Sequence, residues 1–173
     1  GGLGLGPIDT MIGKLVDDFN DVQIVVVTGK NKALKKKCTL LYGYQPHIRV
    51  LGYVEELAYY VAGADLVVTK PGGLTSSEVL AMGLPMIITQ PIPGQEERNS
   101  GFLLRHQVAL RVNNPHDISR YVHPFMNDAV FYEHFSARAR RVGRPTSAKH
   151  AASLILNMIG TYEKKRPHLG VSD

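Results

Sequence analysis

Apolar residues along this chain recur with two alternating periods. Ile8, Met11, Ile12, Leu15, Val16 and Phe19 fall at helical spacing behind Pro7, a residue suited to a first helical turn, so an amphipathic helix is expected here. Gln23 to Thr28, QIVVVT, is a short and nearly unbroken β-branched run that stops at Gly29, the pattern of a strand buried on both faces of a parallel sheet. The unit then repeats with variation: helix over 32–42 with a basic face, strand over 47–51, helix over 55–62, strand over 64–69, helix over 75–82, strand over 85–89, helix over 95–105 and strand over 108–112. Such alternation implies right-handed βαβ crossovers and hence an α/β fold, a Rossmann-like parallel sheet with helices on both faces. Beyond Pro115 the pattern is helical only, over 117–126, 130–141 and 147–159, and Lys164-Lys165-Arg166-Pro167 opens a polar tail. Neither a linker nor a solenoid repeat interrupts the chain.

The 173 residues, 44% of them hydrophobic, suffice for one domain with a substantial core and exclude the disordered and collagen-like classes. Twenty Lys and Arg against 15 Asp and Glu leave a formal charge of +5, which favours anionic phosphates or lipid headgroups without calling for nucleic acid. Lys30, Lys32, Lys35, Lys36 and Lys37, with Arg138, Arg140, Arg141 and Arg144, read first as solvated faces, an anionic membrane surface being the functional alternative. The single cysteine, Cys38, permits no internal disulfide and no CxxC site, and suits a small core side chain in a reducing compartment. No apolar run approaches the roughly 18 residues of a membrane span, and no signal-peptide pattern is visible.

Ligands of open α/β sheets bind outside the carboxyl ends of the strands, which points to the loops after Thr28, Leu51, Thr69 and Thr89. The opening GGLGLG, residues 1–6, would let backbone N–H groups approach an anion near the following helix. An ordinary turn accounts for it equally well: Pro7 stands where the dinucleotide fingerprint needs a third small residue, and Thr28 and Gly29 stand where it needs an acid. Glycine-rich turns of this kind follow a strand, so one is expected ahead of Gly1, unless Gly1 and Gly2 are a cloning remnant.

Residues 69–78, TKPGGLTSSE, join a strand to a helix. Thr75 and Glu78 have the spacing of a capping box, and the same glycine-preceded helix start offers free N–H groups and the positive dipole end to a phosphate. Glu78 beside it is suited to ribose hydroxyls. Residues 91–99, PIPGQEERN, read first as a Pro-Gly turn whose acids complement a helix N-terminus, and second as a loop able to hydrogen-bond a polyol. Asp-x-Asp, paired-histidine, GxSxG and Walker motifs are absent, so metal chemistry and triad hydrolysis are not expected; histidines 47, 106, 116, 123, 134, 150 and 168 are scattered.

Together these segments resemble the C-terminal, donor-binding half of GT-B glycosyltransferases that act on lipid acceptors. TKPGGLTSSEVLAMGLPMIITQPIPGQEERN, residues 69–99, is similar to the signature of processive diacylglycerol glucosyltransferases and monogalactosyldiacylglycerol synthases, and more distantly to the peptidoglycan lipid-intermediate N-acetylglucosaminyltransferase. The similarity extends over residues 1–112, including the opening glycines, VVVTGKN at 25–31 and VLGYVEEL at 50–57.

The resemblance implies a UDP-sugar donor-binding domain over 1–160 with a polar tail over 161–173, the N-terminal acceptor domain lying elsewhere. It places Gly2 and Gly4 near the diphosphate or sugar, Gly29 and Asn31 in the nucleotide pocket, and Tyr53 and Val54 at the uracil. Gly72, Gly73, Leu74 and Thr75 would meet the phosphates, Glu78 the ribose, and Gln95 and Glu96 the sugar hydroxyls, which reverses the residue-level reading of that last segment. The activity so implied is transfer of glucose or galactose from a UDP-hexose to a lipid hydroxyl such as that of diacylglycerol, with inversion. It further implies no cofactor and no metal, a catalytic base supplied by the acceptor domain, no nucleic-acid partner, and a cytoplasmic protein or one peripheral on the inner membrane leaflet. The 173-residue chain by itself is expected to bind the donor weakly and not to transfer sugar. A UDP-sugar epimerase of the same fold and a non-catalytic nucleotide-binding subunit of a two-chain transferase are the alternatives; PGQEERN argues against the epimerase.

Overall fold

The structure, a computed structural model, describes residues 6–165, with side chains through 159. The chain divides after Gly143 into two units. In the first, α1 (Ile8–Asp18), β1 (Ile24–Val27), α2 (Lys32–Tyr42), β2 (Ile48–Leu51), α3 (Leu57–Ala62), β3 (Val67–Thr69), α4 (Gly73–Ala81), β4 (Met86–Thr89), α5 (Gln95–Arg105) and β5 (Ala109–Val112) alternate as the apolar pattern predicts. A 3-10 turn at Pro115–Asp117 leads into α6 (Ile118–Asn127) and α7 (Ala129–Val142). The second unit consists of α8 (Ser147–Lys165), which continues six residues past the 159 at which apolar periodicity stops, because Glu163, Lys164 and Lys165 are good helix formers. On α8 the side chains of Leu154, Ile155, Leu156, Met158 and Ile159 are exposed.

Every strand pairing is parallel. β1 pairs with β2, Val25 opposite Arg49, and β4 lies between β3 and β5, with Ile87 opposite both Val68 and Leu110. The expected single sheet is therefore present as two, β1-β2 and β3-β4-β5. The difference is physical: β1 and β3 each pair on one side only among the described residues, and their central side chains, Val25 and Val68, remain 47% and 37% exposed. The expectation that 23–28 is buried on both faces is corrected accordingly, only Val26 of β1 being buried. The further strand expected ahead of Gly1 falls outside the described residues.

β4 is the centre of the fold. Met86, Ile87 and Ile88 are wholly buried and alternate between two cores, each such side chain contributing about 1.5–3 kcal/mol of transfer free energy. Met86 and Ile88 pack with Val79, Leu80, Leu103 and Ala139 from α4, α5 and α7, whereas Ile87 faces Met11, Val112, Ile118 and Phe125 from α1, β5 and α6. A third cluster, Ile12, Val26, Cys38 and Ile48, closes α1 and α2 over β1 and β2. Ile8 packs against both the second and third clusters, so α1 bridges the two sheets. The Lys37 ammonium meets Asp9 Oδ2 at 2.5 Å and the Tyr42 hydroxyl donates to the Asp9 carbonyl at 3.0 Å, stitching α2 to α1.

Two helix starts depart from expectation. Asn31 caps α2 by accepting from the Leu34 N–H at 2.9 Å, a role the motif VVVTGKN had not suggested. The capping box of Thr75 and Glu78 does not form: α4 starts at Gly73, with Gly72 extended (φ −69°, ψ 141°) as its N-cap and no side chain capping the first turn. Two glycines carry the chain into the helix early, and Thr75 lies inside the first turn, where it cannot serve as the cap.

Candidate functional site

The loops after β1 and β2 are locked together. Thr28, fully buried, donates to the Leu51 carbonyl through both its backbone N–H and its hydroxyl, each at 3.0 Å. Gly29 then turns the chain at φ +59°, a left-handed conformation that glycine adopts without strain, and Asn31 starts α2. A side chain at Gly52 would place its Cβ 3.6 Å from Lys35 Nζ, so this ammonium lies over the bare backbone after β2. Lys30 Nζ stands 5.7 Å from the centroid of the Tyr53 ring, which is 60% exposed. Gly29, Tyr53 and their neighbours thus share one carboxyl-end surface with two cations, while the Asn31 side chain is engaged in capping α2 and Val54 is half-buried.

A second surface forms at the carboxyl ends of β3 and β4. A Cβ at Gly6 would fall 3.8 Å from Lys70 Cε and 4.0 Å from Gln90 Oε1, so the glycine two residues ahead of α1 meets the first residue after each strand. Gly2 and Gly4 lie outside the described residues. The Asn99 amide of α5 donates to the Pro71 carbonyl at 2.9 Å and braces the loop that delivers Gly72 to α4. With no side-chain cap among the described residues, the first turn of α4 leaves the N–H groups of Gly73, Leu74 and Thr75 without intrahelical partners, pointing out of the positive end of the helix dipole. The Leu74 side chain is 84% exposed, which fits a contribution from its backbone alone.

Glu78 is exposed one turn further along α4. Glu96 accepts from the Ile92 N–H at 2.8 Å, closing the Pro91–Gly94 turn, and Gln95 beside it is exposed. That closure realises the turn reading of PIPGQEERN and leaves the second Glu96 carboxylate oxygen for other partners. Glu97 is taken up by Arg111 at 2.7 Å.

The two surfaces belong to different sheets: Gly29, Asn31, Tyr53 and Val54 to β1-β2, and Gly72, Gly73, Leu74, Thr75, Glu78, Gln95 and Glu96 to β3-β4-β5. Sequence reading placed Lys35 on a solvated face, held Lys70 and Asn99 within the loops 69–78 and 91–99 without giving either a role of its own, and passed over Gln90. Lys70 and Gln90 carried a usable signal, each being the first residue after a strand, where α/β folds place ligand contacts. Lys35 and Asn99 gave none, because their importance lies in tertiary neighbours 17 and 28 residues away.

Carboxyl-end loops, an open helix N-terminus and a set of lysines give this α/β domain a surface suited to an anion. Comparison with known proteins specifies the family. The model of the family "Glycosyl transferases group 1" matches residues 10–142, and the chain belongs to that family. It is 36% identical over 141 residues to a processive diacylglycerol beta-glucosyltransferase of Bacillus pumilus, a match covering 81% of this chain and 36% of that protein. The chain thus spans about a third of the length of this curated relative. Among solved structures, the S. aureus MnaA-UDP complex superposes with a TM-score of 0.71 at 15% identity, over 96% of this chain and 44% of that one. Acinetobacter baumannii MurG gives 0.67 at 19% identity, over 91% and 48%. These likenesses establish the fold, and the family match bears out the resemblance carried by residues 69–99.

Proposed function

We propose that this chain is the donor-binding half of a glycosyltransferase that takes a UDP-hexose and passes the sugar, with inversion, to the hydroxyl of a membrane lipid such as diacylglycerol. The observation that supports it most directly is the uncapped first turn of α4 behind Gly72 and Gly73, at the carboxyl end of β3, in a chain whose relative carries the name of a diacylglycerol glucosyltransferase. In this reading the uracil lies on the loops after β1 and β2, between Gly29 and Tyr53. The diphosphate lies on the N–H groups of Gly73, Leu74 and Thr75, with Glu78 at the ribose and Gln95 and Glu96 at the sugar. As the bond to the anomeric carbon breaks, negative charge grows on the departing UDP. Fixed N–H dipoles and the Lys70 ammonium meet that charge without reorganising, so the step needs no metal at the diphosphate. The base that deprotonates the acceptor belongs to the acceptor domain, and the assembled enzyme works on the cytoplasmic face of a membrane. An epimerase of the same fold is not favoured, because the matching relative is named as a transferase.

Calorimetric titration of the chain with UDP, UDP-glucose and UDP-galactose, against ADP and NAD, tests the reading. Selective uridine binding that is lost in Glu78→Ala and weakened in Thr75→Ala is the expected result. Equal affinity for ADP, or a folded Glu78→Ala that binds UDP unchanged, overturns it.

A further inference from the structure

At the other rim of the sheet, a cavity of about 230 Å³ is lined by His106, Arg138, Arg141 and Val142. Its position follows from the chain path. His106 ends α5 three residues before β5, and α7 ends at Val142 beside Gly143, whose Cβ would touch the Leu80 carbonyl just ahead of β4. The cavity therefore lies at the amino ends of β4 and β5, while the donor loops follow their carboxyl ends. Among the described residues no carboxylate lines it.

Basic residues at the ends of two helices complement the negative ends of the helix dipoles, and that accounts for the charge. It does not account for Arg138. The Nη1 of this guanidinium is buried and donates to no acceptor among the described residues. A buried charged donor left unpaired is costly, and an acceptor in the adjoining space removes the cost. The His106 ring is held against Phe102 one turn earlier, centroids 4.3 Å apart, so its nitrogens are presented by a fixed ring. The volume is several times the roughly 30 Å³ share of one water molecule, enough for a tetrahedral oxyanion with part of its hydration.

We propose that His106, Arg138 and Arg141 form a binding site for a phosphate group, separate from the donor site and on the opposite rim of the sheet. A planar guanidinium beside an imidazole matches the geometry of phosphate oxygens, which accept charge-assisted hydrogen bonds from both. Inorganic phosphate and the phosphodiester headgroup of an anionic lipid present this same chemistry.

The test is a titration of the full chain with inorganic phosphate, followed by NMR of the histidine side chains, the His106 signal being assigned with His106→Gln. Separately, the chain is sedimented with vesicles of phosphatidylglycerol or of phosphatidylcholine. Saturable movement of the His106 signal, weakened on the order of ten-fold or more in Arg138→Gln and partly restored in Arg138→Lys, is the expected result. Saturation by inorganic phosphate with no preference for phosphatidylglycerol vesicles supports the site with a soluble ligand. Preferential sedimentation with phosphatidylglycerol that Arg138→Gln abolishes supports it with a lipid headgroup. If Arg138→Gln does not fold, Arg141→Gln at an exposed position supplies the same comparison. A His106 signal that stays put, or phosphate binding equal in a folded Arg138→Gln, overturns the proposal and leaves helix-end complementation as the sole role of these residues.

Discussion

Replacing Asn99 by alanine removes one hydrogen bond, and with it the brace between α5 and the loop that presents the α4 N-terminus. The Asn99 amide donates to the Pro71 carbonyl at 2.9 Å, Pro71 is itself buried, and the next residue is the N-cap of α4. Truncation leaves that carbonyl short of a donor, a loss of about 0.5–1.5 kcal/mol. If the whole loss falls on ordering the loop, the dissociation constant for UDP rises by roughly 2- to 12-fold. The cost to the fold is a fall in Tm of about 2–6 °C for a chain of this size. Asn99→Asp sharpens the argument, because a carboxylate cannot donate to the carbonyl and adds a negative charge near the proposed phosphates. It is expected to bind UDP more weakly than Asn99→Ala, although its shape is closer to the original. Calorimetry with UDP and a thermal melt on the same samples give both quantities. Unchanged UDP affinity in a folded Asn99→Ala, or an Asn99→Asp that binds as well as Asn99→Ala, refutes the bracing role.

Two further predictions concern the scaffold. The Lys37 ammonium, hydrogen-bonded to Asp9, holds the Asp9 carboxyl below the usual carboxylate range, so the bridge contributes stability above about pH 4 and loses it as pH falls through the lowered folded value. Asp9→Asn is expected to lower Tm only slightly at pH 7, the pair being exposed, and the gap to the parent should close in melts carried out well below pH 4. A Cβ at Gly143 would stand 2.3 Å from the Leu80 carbonyl oxygen and 2.8 Å from its carbon, backbone atoms that cannot swing aside. Gly143→Ala is therefore expected to cost about 1–3 kcal/mol in urea denaturation, and a change within about 0.5 kcal/mol would show that α4 and α7 part more easily than their packing implies.

Local pattern was legible wherever one segment contains its own reason for folding. α2 and α5 fall on the expected 32–42 and 95–105, and β4 announces itself by the apolar run Met86-Ile87-Ile88, which the structure buries completely. What depends on a neighbour did not read. The division into two sheets is a matter of which strands lie beside β1 and β3, and nothing in QIVVVT or ADLVVT encodes a partner. Thr75 and Glu78 had the spacing of a cap, yet Gly72 in extended conformation claimed that place, because helix starts are decided by backbone freedom as well as by side-chain chemistry. Among the site residues, motif reading found the glycines and acids, which act through backbone and position. It gave no role to Lys70, Gln90 and Asn99, which matter because Gly6 and Pro71 come to them in space.

The division of the sheet has a consequence for how the protein behaves in company. Five parallel strands in one sheet would present two edges, whereas among the described residues β1-β2 and β3-β4-β5 present four, each a row of backbone donors and acceptors with a partner on one side only. At β1 and β3 these rows run beside exposed valines rather than beside the lysines or prolines that usually keep edges apart. Where these rows stay uncovered, crowding raises the chance that one molecule completes the sheet of another. The strands at risk are the ones whose carboxyl ends carry the candidate site, so aggregation and loss of ligand binding should set in together.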